Sequence, residues 1–223
     1  MRRAIHSDTT ATTMPDVLFD GLRVVAFDCD GVMFDSTRAN LAYYNHVLEH
    51  FGRSPVTDSQ FDYISMHTAD RAIAYLFDDP ESIRRAQAYR RQVSYRPFLK
   101  HMRMEPQLKS LLASLHPRFH TAIATNRTDT MQPLLEAFGL ADNFDLVVTS
   151  LDVKRPKPDP EPLLKILEHF AIAPDQALYI GDSALDESAA RAAGIRLVAF
   201  NNPRLEAALH IRNFKELQDL LGG

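Results

Sequence analysis

Short apolar runs recur along the chain, and most of them alternate with segments in which apolar residues have helical spacing. The runs cover residues 24–27, 121–124, 146–148, 177–180 and 196–200. Helical spacing fills residues 106–115, 129–138 and 161–170, the segment before Gly194 and the C-terminal end. This alternation predicts an α/β fold with a parallel sheet, right-handed crossovers and helices on both faces.

A long segment after the first apolar run has only helical patterning. Thr57 and Gln60 offer a capping box for a helical stretch that runs through Phe77. Residues 79–81, Asp-Pro-Glu, begin a further helix that carries many arginines, which we expect on a solvated face. The sequence therefore predicts an inserted all-helical domain over residues 37–104.

The rest of the chain divides around this insert. Residues 1–20 include a threonine-rich stretch without helical periodicity, and we expect a flexible tail there. Residues 21–36 and 105–223 carry the strand and helix alternation, and we expect them to form one core.

Two carboxylates stand at the end of the first apolar run, in the sequence Asp28-Cys29-Asp30-Gly31. In open α/β sheets ligands bind at the carboxyl ends of strands. Adjacent carboxylates repel unless a cation or a shared proton relieves them, so the pair indicates a metal site or a division between nucleophile and acid. A calcium-binding EF-hand is excluded because Gly31 comes too early and Ala39 occupies the position of the final glutamate.

Three further motifs follow in order. They are Thr125-Asn126-Arg127 after a strand, the isolated Lys157-Pro158-Asp159-Pro160, and Gly181-Asp182 with Asp186 after another strand. Together with the first motif, this ordered set resembles the four motifs of the haloacid dehalogenase-like hydrolase superfamily. The resemblance spans roughly residues 24–200, and it implies a Rossmann-like core with a helical cap inserted after the first motif.

The resemblance implies a role for each motif residue. Asp28 would be the nucleophile that attacks phosphorus, and Asp30 would protonate the leaving alcohol and later activate water. Thr125 and the neighbouring Asn126 would bind the phosphate. Lys157 would stabilise the charge of the phosphate and orient Asp28.

The resemblance also implies a Mg²⁺ cofactor, a hard cation that shares carboxylates with phosphate. Its ligands would be Asp28, the backbone carbonyl of Asp30, and Asp182. Asp186 would be either a further ligand or a partner behind the ligands.

The presence of a carboxylate at Asp30 favours phosphoryl transfer, because the dehalogenating members lack one there. The insert resembles the cap of the phosphoglycolate phosphatase and β-phosphoglucomutase branch. This implies a phosphatase for a small phosphorylated metabolite, either phosphoglycolate-like or a sugar phosphate. We name Arg71 and His67, both in the cap, as candidate substrate contacts.

Several alternatives stay open or are weakened by the sequence. A phosphomutase would share the same core motifs, so the sequence does not separate it from a phosphatase. A non-catalytic binding protein would be expected to show a broken motif, and none is broken. Phosphonate-cleaving relatives need a cap lysine as a Schiff base, whereas Lys100, at the far end, is the only lysine of the insert.

Some residues near the motifs have plainer interpretations. Lys154 competes with Lys157 for the lysine role, and the Lys-Pro-x-Pro pattern favours Lys157. Cys29 would point away from its neighbouring carboxylates because side chains alternate along a strand. His46 and His50 have the spacing of a metal pair, but we expect ordinary surface histidines.

Composition narrows the remaining choices. The chain has 223 residues with 45% apolar and 24% charged residues, typical of a soluble globular protein. A net charge of −4 gives no basic footprint for nucleic acid. The single cysteine excludes an intramolecular disulfide framework, and no apolar stretch is long enough for a membrane span. We therefore expect a cytoplasmic enzyme, and a monomer, that binds neither nucleic acid nor membrane.

Overall fold

The computed structural model describes residues 19–221. The tail predicted over residues 1–20 therefore lies almost wholly outside the described residues. In chain order the strands are β1 (Val24–Phe27), β2 (Phe34–Asp35), β3 (Arg103–Met104), β4 (His120–Ala124), β5 (Leu146–Val148), β6 (Ala177–Gly181), β7 (Arg196–Phe200) and β8 (Leu209–Ile211).

The α-helices are α1 (Thr37–His50), α2 (Asp58–Met66), α3 (Ala69–Leu76), α4 (Pro80–Arg90), α5 (Leu108–Leu115), α6 (Met131–Phe138), α7 (Glu161–Phe170), α8 (Ala184–Ala193) and α9 (Phe214–Leu221). Short 3₁₀ helices cover Arg96–His101 and Pro174–Gln176. No helix in this described stretch is both long and apolar enough to cross a lipid bilayer.

Six parallel strands form the main sheet, in the order β5-β4-β1-β6-β7-β8. Alternate side chains of β1 enter two different cores. Val25 and Phe27 join the apolar cluster that includes α5, α6 and α9, whereas Val24 and Ala26 join the one that includes α7 and α8. Helices therefore cover both faces of a Rossmann-like sheet, which confirms the predicted α/β fold.

The helical insert leaves and rejoins the core through one short ribbon. It consists of β2 paired with β3 in antiparallel fashion, with Phe34 opposite Met104 and Asp35 opposite Arg103. Helices α1 to α4 and the first 3₁₀ helix lie between these two strands in sequence. Both chain connections between core and insert thus run side by side, close to the end of β1.

Part of the predicted secondary structure was wrong. The helical stretch expected through Phe77 is two helices, because the backbone is extended at His67 and at Thr68, whose hydroxyl caps α3 by accepting from the Arg71 amide. The strands β2, β3 and β8 were not predicted. They contain only two or three residues each, too few to show a period of two.

The arginines of α4 do not all lie on a solvated face. Arg90 is buried, and its Nη2 atom donates to Asp70 Oδ1 at 2.6 Å. Its backbone carbonyl accepts from the Tyr43 hydroxyl. Arg84 is exposed, as predicted. Charge patterning alone could not separate these two arginines, because the partner of Arg90 comes from a different helix.

Two adjacent leucines on α7 give a matched test of packing in the apolar cluster that includes α7 and α8. Leu163 is fully buried, whereas Leu164 is 46% exposed. We expect Leu163→Ala to lower the free energy of unfolding by about 2–5 kcal/mol, since it leaves a cavity, and Leu164→Ala to lower it by less than about 1 kcal/mol. Urea unfolding followed by circular dichroism measures both. Equal losses would contradict the packing of α7 described above.

Candidate active site

The carboxyl ends of three neighbouring strands bring the predicted motifs together. Asp28 follows β1 and its amide donates to Ile180 O of β6 at 2.9 Å. Thr125 follows β4 and its amide donates to Val148 O of β5 at 3.0 Å. Asp182 follows β6. Since the three strands are parallel neighbours, their polar residues meet at one edge of the sheet, as proposed for ligand sites in open α/β folds.

Lys157 lies at the centre of this edge, although its loop belongs to no strand. Its side chain is 3% exposed, and its ammonium group lies 2.8 Å from Asp28 Oδ1 and 2.6 Å from Asp186 Oδ1. It also donates to the Tyr179 hydroxyl at 2.8 Å. The three donors of the ammonium thus have three partners. Lys154, the competing lysine, is exposed.

Asp186 is held from both sides. Its Oδ1 atom accepts from Lys157 and from the Tyr179 hydroxyl, and its Oδ2 atom accepts from the hydroxyl and the backbone amide of Ser183. Burial raises the pKa of Asp186, but the Lys157 ammonium outweighs burial and holds that pKa below its usual value. Asp186 is therefore an anion that fixes Lys157 in place.

Three carboxylates crowd around the single ammonium. Oxygens of Asp28, Asp182 and Asp186 all lie within 4.8 Å of one another. Burial raises the pKa of Asp28 to about 7, against the opposing effect of Lys157 and with the help of the charge of Asp186. Burial and the charge of Asp28 raise the pKa of Asp182 to about 8. A group of carboxylates that resists ionisation in this way is one that a cation would stabilise.

Two glycines allow the carboxylates to approach this closely. Gly31 has a φ of +81°, and a Cβ atom there would lie 2.1 Å from Asp182 Oδ2. A Cβ atom on Gly181 would lie 2.4 Å from that of Asp186. Any side chain at either position would push the carboxylates apart, so both glycines are required by the geometry of the cluster.

Thr125 and Asn126 lie beside the cluster. Thr125 is 1% exposed, and its Oγ1 atom accepts from the Arg127 amide at 3.1 Å, which leaves its hydroxyl hydrogen to donate elsewhere. The Asn126 side-chain amide donates to Lys157 O and, across to the insert, to Met66 O. Its Oδ1 atom is buried without a hydrogen-bond partner among residues 19–221.

Asp30 is not among the three carboxylates whose oxygens lie within 4.8 Å of one another, and it pairs with Arg127. Its oxygens accept from Arg127 Nε at 2.8 Å and Arg127 Nη2 at 2.7 Å, a bidentate pair. Burial would lower the pKa of the Arg127 guanidinium, but the charge of Asp30 holds that pKa above its usual value. Asp30 thus has its own cationic partner, although its charge also helps to raise the pKa of Asp28 and the pKa of Asp182.

A cavity of about 810 Å³ opens over these residues, between the sheet edge and the helical insert. Its size is in the range of small-molecule sites. His67 lines it, and its Nδ1 atom lies 2.8 Å from Tyr63 O. Arg71 is exposed on α3 and is not among the described residues that line the cavity. The cavity therefore brings together His67 and the core motif residues other than Asp186, which is buried behind them, but not Arg71.

Two residues of the site were missed by the sequence analysis. Arg127 stands within the second motif, but no pattern linked it to Asp30, 97 positions away. Tyr179 looks like an ordinary strand residue, yet its hydroxyl contacts Lys157, Asp186 and Ala124 O. A hydroxyl within an otherwise apolar buried strand was the available signal, because a buried tyrosine needs a polar partner.

Comparison with known proteins agrees with this geometry. Residues 25–200 match the haloacid dehalogenase-like hydrolase family. The phosphoglycolate phosphatase of Chromobacterium violaceum is 30% identical over 217 residues, which cover 90% of this chain and 96% of the relative.

Two solved structures extend the comparison. A haloacid dehalogenase superfamily hydrolase of subfamily IA from Geobacter sulfurreducens is 38% identical, with a TM-score of 0.74 over 91% of this chain and 97% of the other. A β-phosphoglucomutase from Clostridium difficile shares the fold, with a TM-score of 0.75 over 90% of this chain and 97% of the other, at 17% identity. The chain therefore belongs to the haloacid dehalogenase-like hydrolases, as a phosphatase of that family.

Proposed function

We propose that the protein is a Mg²⁺-dependent phosphatase that hydrolyses a small phosphorylated metabolite, phosphoglycolate-like or a sugar phosphate, through an aspartyl-phosphate on Asp28. The observation that carries this proposal is the position of Asp28. It lies under the cavity with one oxygen held by the buried ammonium of Lys157. An oriented carboxylate at the base of a polar cavity is suited to in-line attack on phosphorus.

The residues present fit a divalent cation. Three carboxylates surround one ammonium, so the cluster has two more negative than positive charges when all groups are ionised. Asp28, Asp182 and the carbonyl of Asp30 would hold the ion, and Asp186, whose oxygens are already engaged, would position Lys157. Bound there, Mg²⁺ would compensate the charge of the phosphate group.

The chain's own residues divide the chemistry between them. The Thr125 hydroxyl and the Asn126 backbone amide would donate to phosphate oxygens, and Lys157 would stabilise their growing charge. Asp28 would attack phosphorus while Asp30 gives its proton to the leaving alcohol. Asp30 would then remove a proton from water, which attacks the phosphorus of the aspartyl-phosphate and releases inorganic phosphate.

The size of the substrate follows from the cavity. The helical insert covers the site, and cavity-lining residues come from both the core and the insert. Such a covered site suits a metabolite better than a phosphoprotein, because closure would exclude water during the first step. The phosphomutase alternative uses the same residues, and a requirement for a bisphosphate activator would reveal it.

The nucleophile role is tested by Asp28→Asn. We expect turnover of p-nitrophenyl phosphate to fall by at least about 10³-fold, since an amide cannot form the covalent intermediate. Phosphate release measures turnover, and mass spectrometry after an acid quench measures phosphorylation of the chain. Asp142→Asn, at an exposed position, is the control and should retain full activity. Substantial activity in Asp28→Asn would remove Asp28 as the nucleophile.

The acid and base role is tested by Asp30→Asn. Because p-nitrophenolate leaves without help from an acid, this variant should still form the phosphoenzyme from p-nitrophenyl phosphate. Hydrolysis of that intermediate should slow by about 10²- to 10⁴-fold, so phosphorylated protein should accumulate. Rapid quenching and mass spectrometry follow the intermediate. Normal hydrolysis in this variant would overturn the assignment of Asp30.

Binding of Mg²⁺ should depend on pH. Since the pKa values of Asp28 and Asp182 are raised to about 7 and about 8, both carboxyls carry protons at pH 6 that a cation must displace. We expect the Kd for Mg²⁺ to be at least about tenfold higher at pH 6 than at pH 8.5, with proton release on binding. Calorimetry in two buffers measures both quantities. An affinity that is independent of pH would contradict a site made of these carboxylates.

A further inference from the structure

The pairing of Asp30 with Arg127 conflicts with the proposed work of Asp30. A general acid must present an oxygen to the leaving group, yet both oxygens of Asp30 accept hydrogen bonds from Arg127. Asp30 is therefore held in a resting arrangement. Another anionic group must replace the Asp30 carboxylate on the Arg127 guanidinium before Asp30 can face the leaving oxygen.

The guanidinium itself is fixed independently of Asp30. Arg127 is 6% exposed in its side chain, and its Nη1 atom donates to Thr130 Oγ1 at 3.2 Å. The guanidinium carbon lies 5.2 Å from the centre of the Tyr95 ring, and Nη2 lies 3.9 Å from Met102 Sδ. These contacts would keep the planar fork in place if Asp30 moved away. A vacated fork of this kind suits one other carboxylate.

Substrate chemistry supplies such a group. In a phosphate ester of a 2-hydroxy acid, the carboxylate carbon is two bonds from the ester oxygen. Because Asp30 must contact that same oxygen when it acts, the substrate carboxylate would lie a few ångströms from Asp30. Asp28, Asp30 and Arg127 line the same cavity, so the fork is open to a group bound there. A sugar phosphate has no carboxylate at this position, and a hydroxyl can neither bind bidentately nor replace a charged group.

We propose that Arg127 binds the carboxylate of a short phosphorylated 2-hydroxy acid, which displaces Asp30 from the guanidinium and frees it to act as the acid. The inference rests on the proposed function and names its substrate class. Once displaced, the Asp30 carboxylate takes up a proton from solvent. In the first step the bond between Asp28 and phosphorus forms, the bond from phosphorus to the ester oxygen breaks, and this proton moves from Asp30 onto that oxygen. The released product is the free hydroxy acid.

This arrangement makes the substrate carboxylate a condition for turnover as well as for binding. A substrate without it would leave Asp30 on Arg127, and its alkoxide would have to leave without a proton. The penalty on phosphorylation of Asp28, which is the step that kcat/KM reports, should be small for p-nitrophenyl phosphate, because its leaving group needs no acid. Dependence on the leaving group therefore separates this role of Arg127 from a merely structural one.

The test compares three esters in the Mg²⁺-supplemented full-length protein. They are 2-phosphoglycolate, ethyl phosphate, which has the same ester linkage without the carboxylate, and p-nitrophenyl phosphate. We expect wild-type kcat/KM for 2-phosphoglycolate to exceed that for ethyl phosphate by about 10- to 100-fold or more, with part of the difference in kcat. Arg127→Met should reduce this preference at least tenfold and should impair 2-phosphoglycolate more than p-nitrophenyl phosphate.

Two further variants complete the design. Arg127→Lys keeps the charge but loses the fork, so its preference should lie between those of wild type and Arg127→Met. Arg84→Met makes the same change at an exposed position on α4 and should match wild type with all three esters. Thermal unfolding of each variant separates loss of preference from loss of fold.

Each contrary result has a distinct meaning. Wild-type protein that hydrolyses p-nitrophenyl phosphate but does not prefer 2-phosphoglycolate to ethyl phosphate would overturn the role of Arg127 and leave the proposed function standing. Equal losses with all three esters in folded Arg127→Met would assign Arg127 to structure alone and would also overturn the inference. Failure of wild type on every ester would overturn the proposed function, and the inference with it.

Discussion

The crowding of three buried carboxylates around one lysine is the constraint on which the rest of the site depends. Asp28 and Asp182 follow β1 and β6, Asp186 lies in the first turn of α8, and Lys157 is the ammonium that lies among them. One ammonium cannot balance three carboxylates, and burial makes the imbalance costly. The raised pKa values of Asp28 and Asp182 express that cost. A divalent cation would remove it, and a phosphate would then meet a neutralised site.

The fold around this cluster was largely predictable because its strands and helices are patterned strongly. The run 24–27 is buried on both faces and becomes the central strand β1, and the helix predicted over residues 161–170 is α7 without a change at either end. The errors in the predicted secondary structure were confined to short elements. The break at His67 depends on a capping threonine, and the ribbon of β2 and β3 pairs residues that are about seventy positions apart. Short elements of this kind are fixed by tertiary contacts, which periodicity does not record.

In the candidate site, too, some positions follow from the predicted topology and others depend on tertiary contacts. Asp28, Thr125 and Asp182 follow strands, so topology alone predicts that they meet, and the structure brings Lys157 to them from a loop. Arg127 and Tyr179 act through side-chain contacts that no spacing encodes.

The helical insert was the least predictable part, since Arg71 lies outside the cavity and Arg90 is buried against Asp70. Specificity residues on an insert depend on how its helices pack, and a single sequence does not determine that packing.

The proposed activity is tested most directly by phosphate release from a panel of small esters, measured with Mg²⁺ and with EDTA. The panel would contain 2-phosphoglycolate, hexose phosphates, nucleotides and p-nitrophenyl phosphate. A Mg²⁺-dependent phosphatase of this kind should release phosphate only when Mg²⁺ is present, and mainly from one or two compounds. Release that persists in EDTA, or no release from any ester by the folded protein, would contradict the proposed activity.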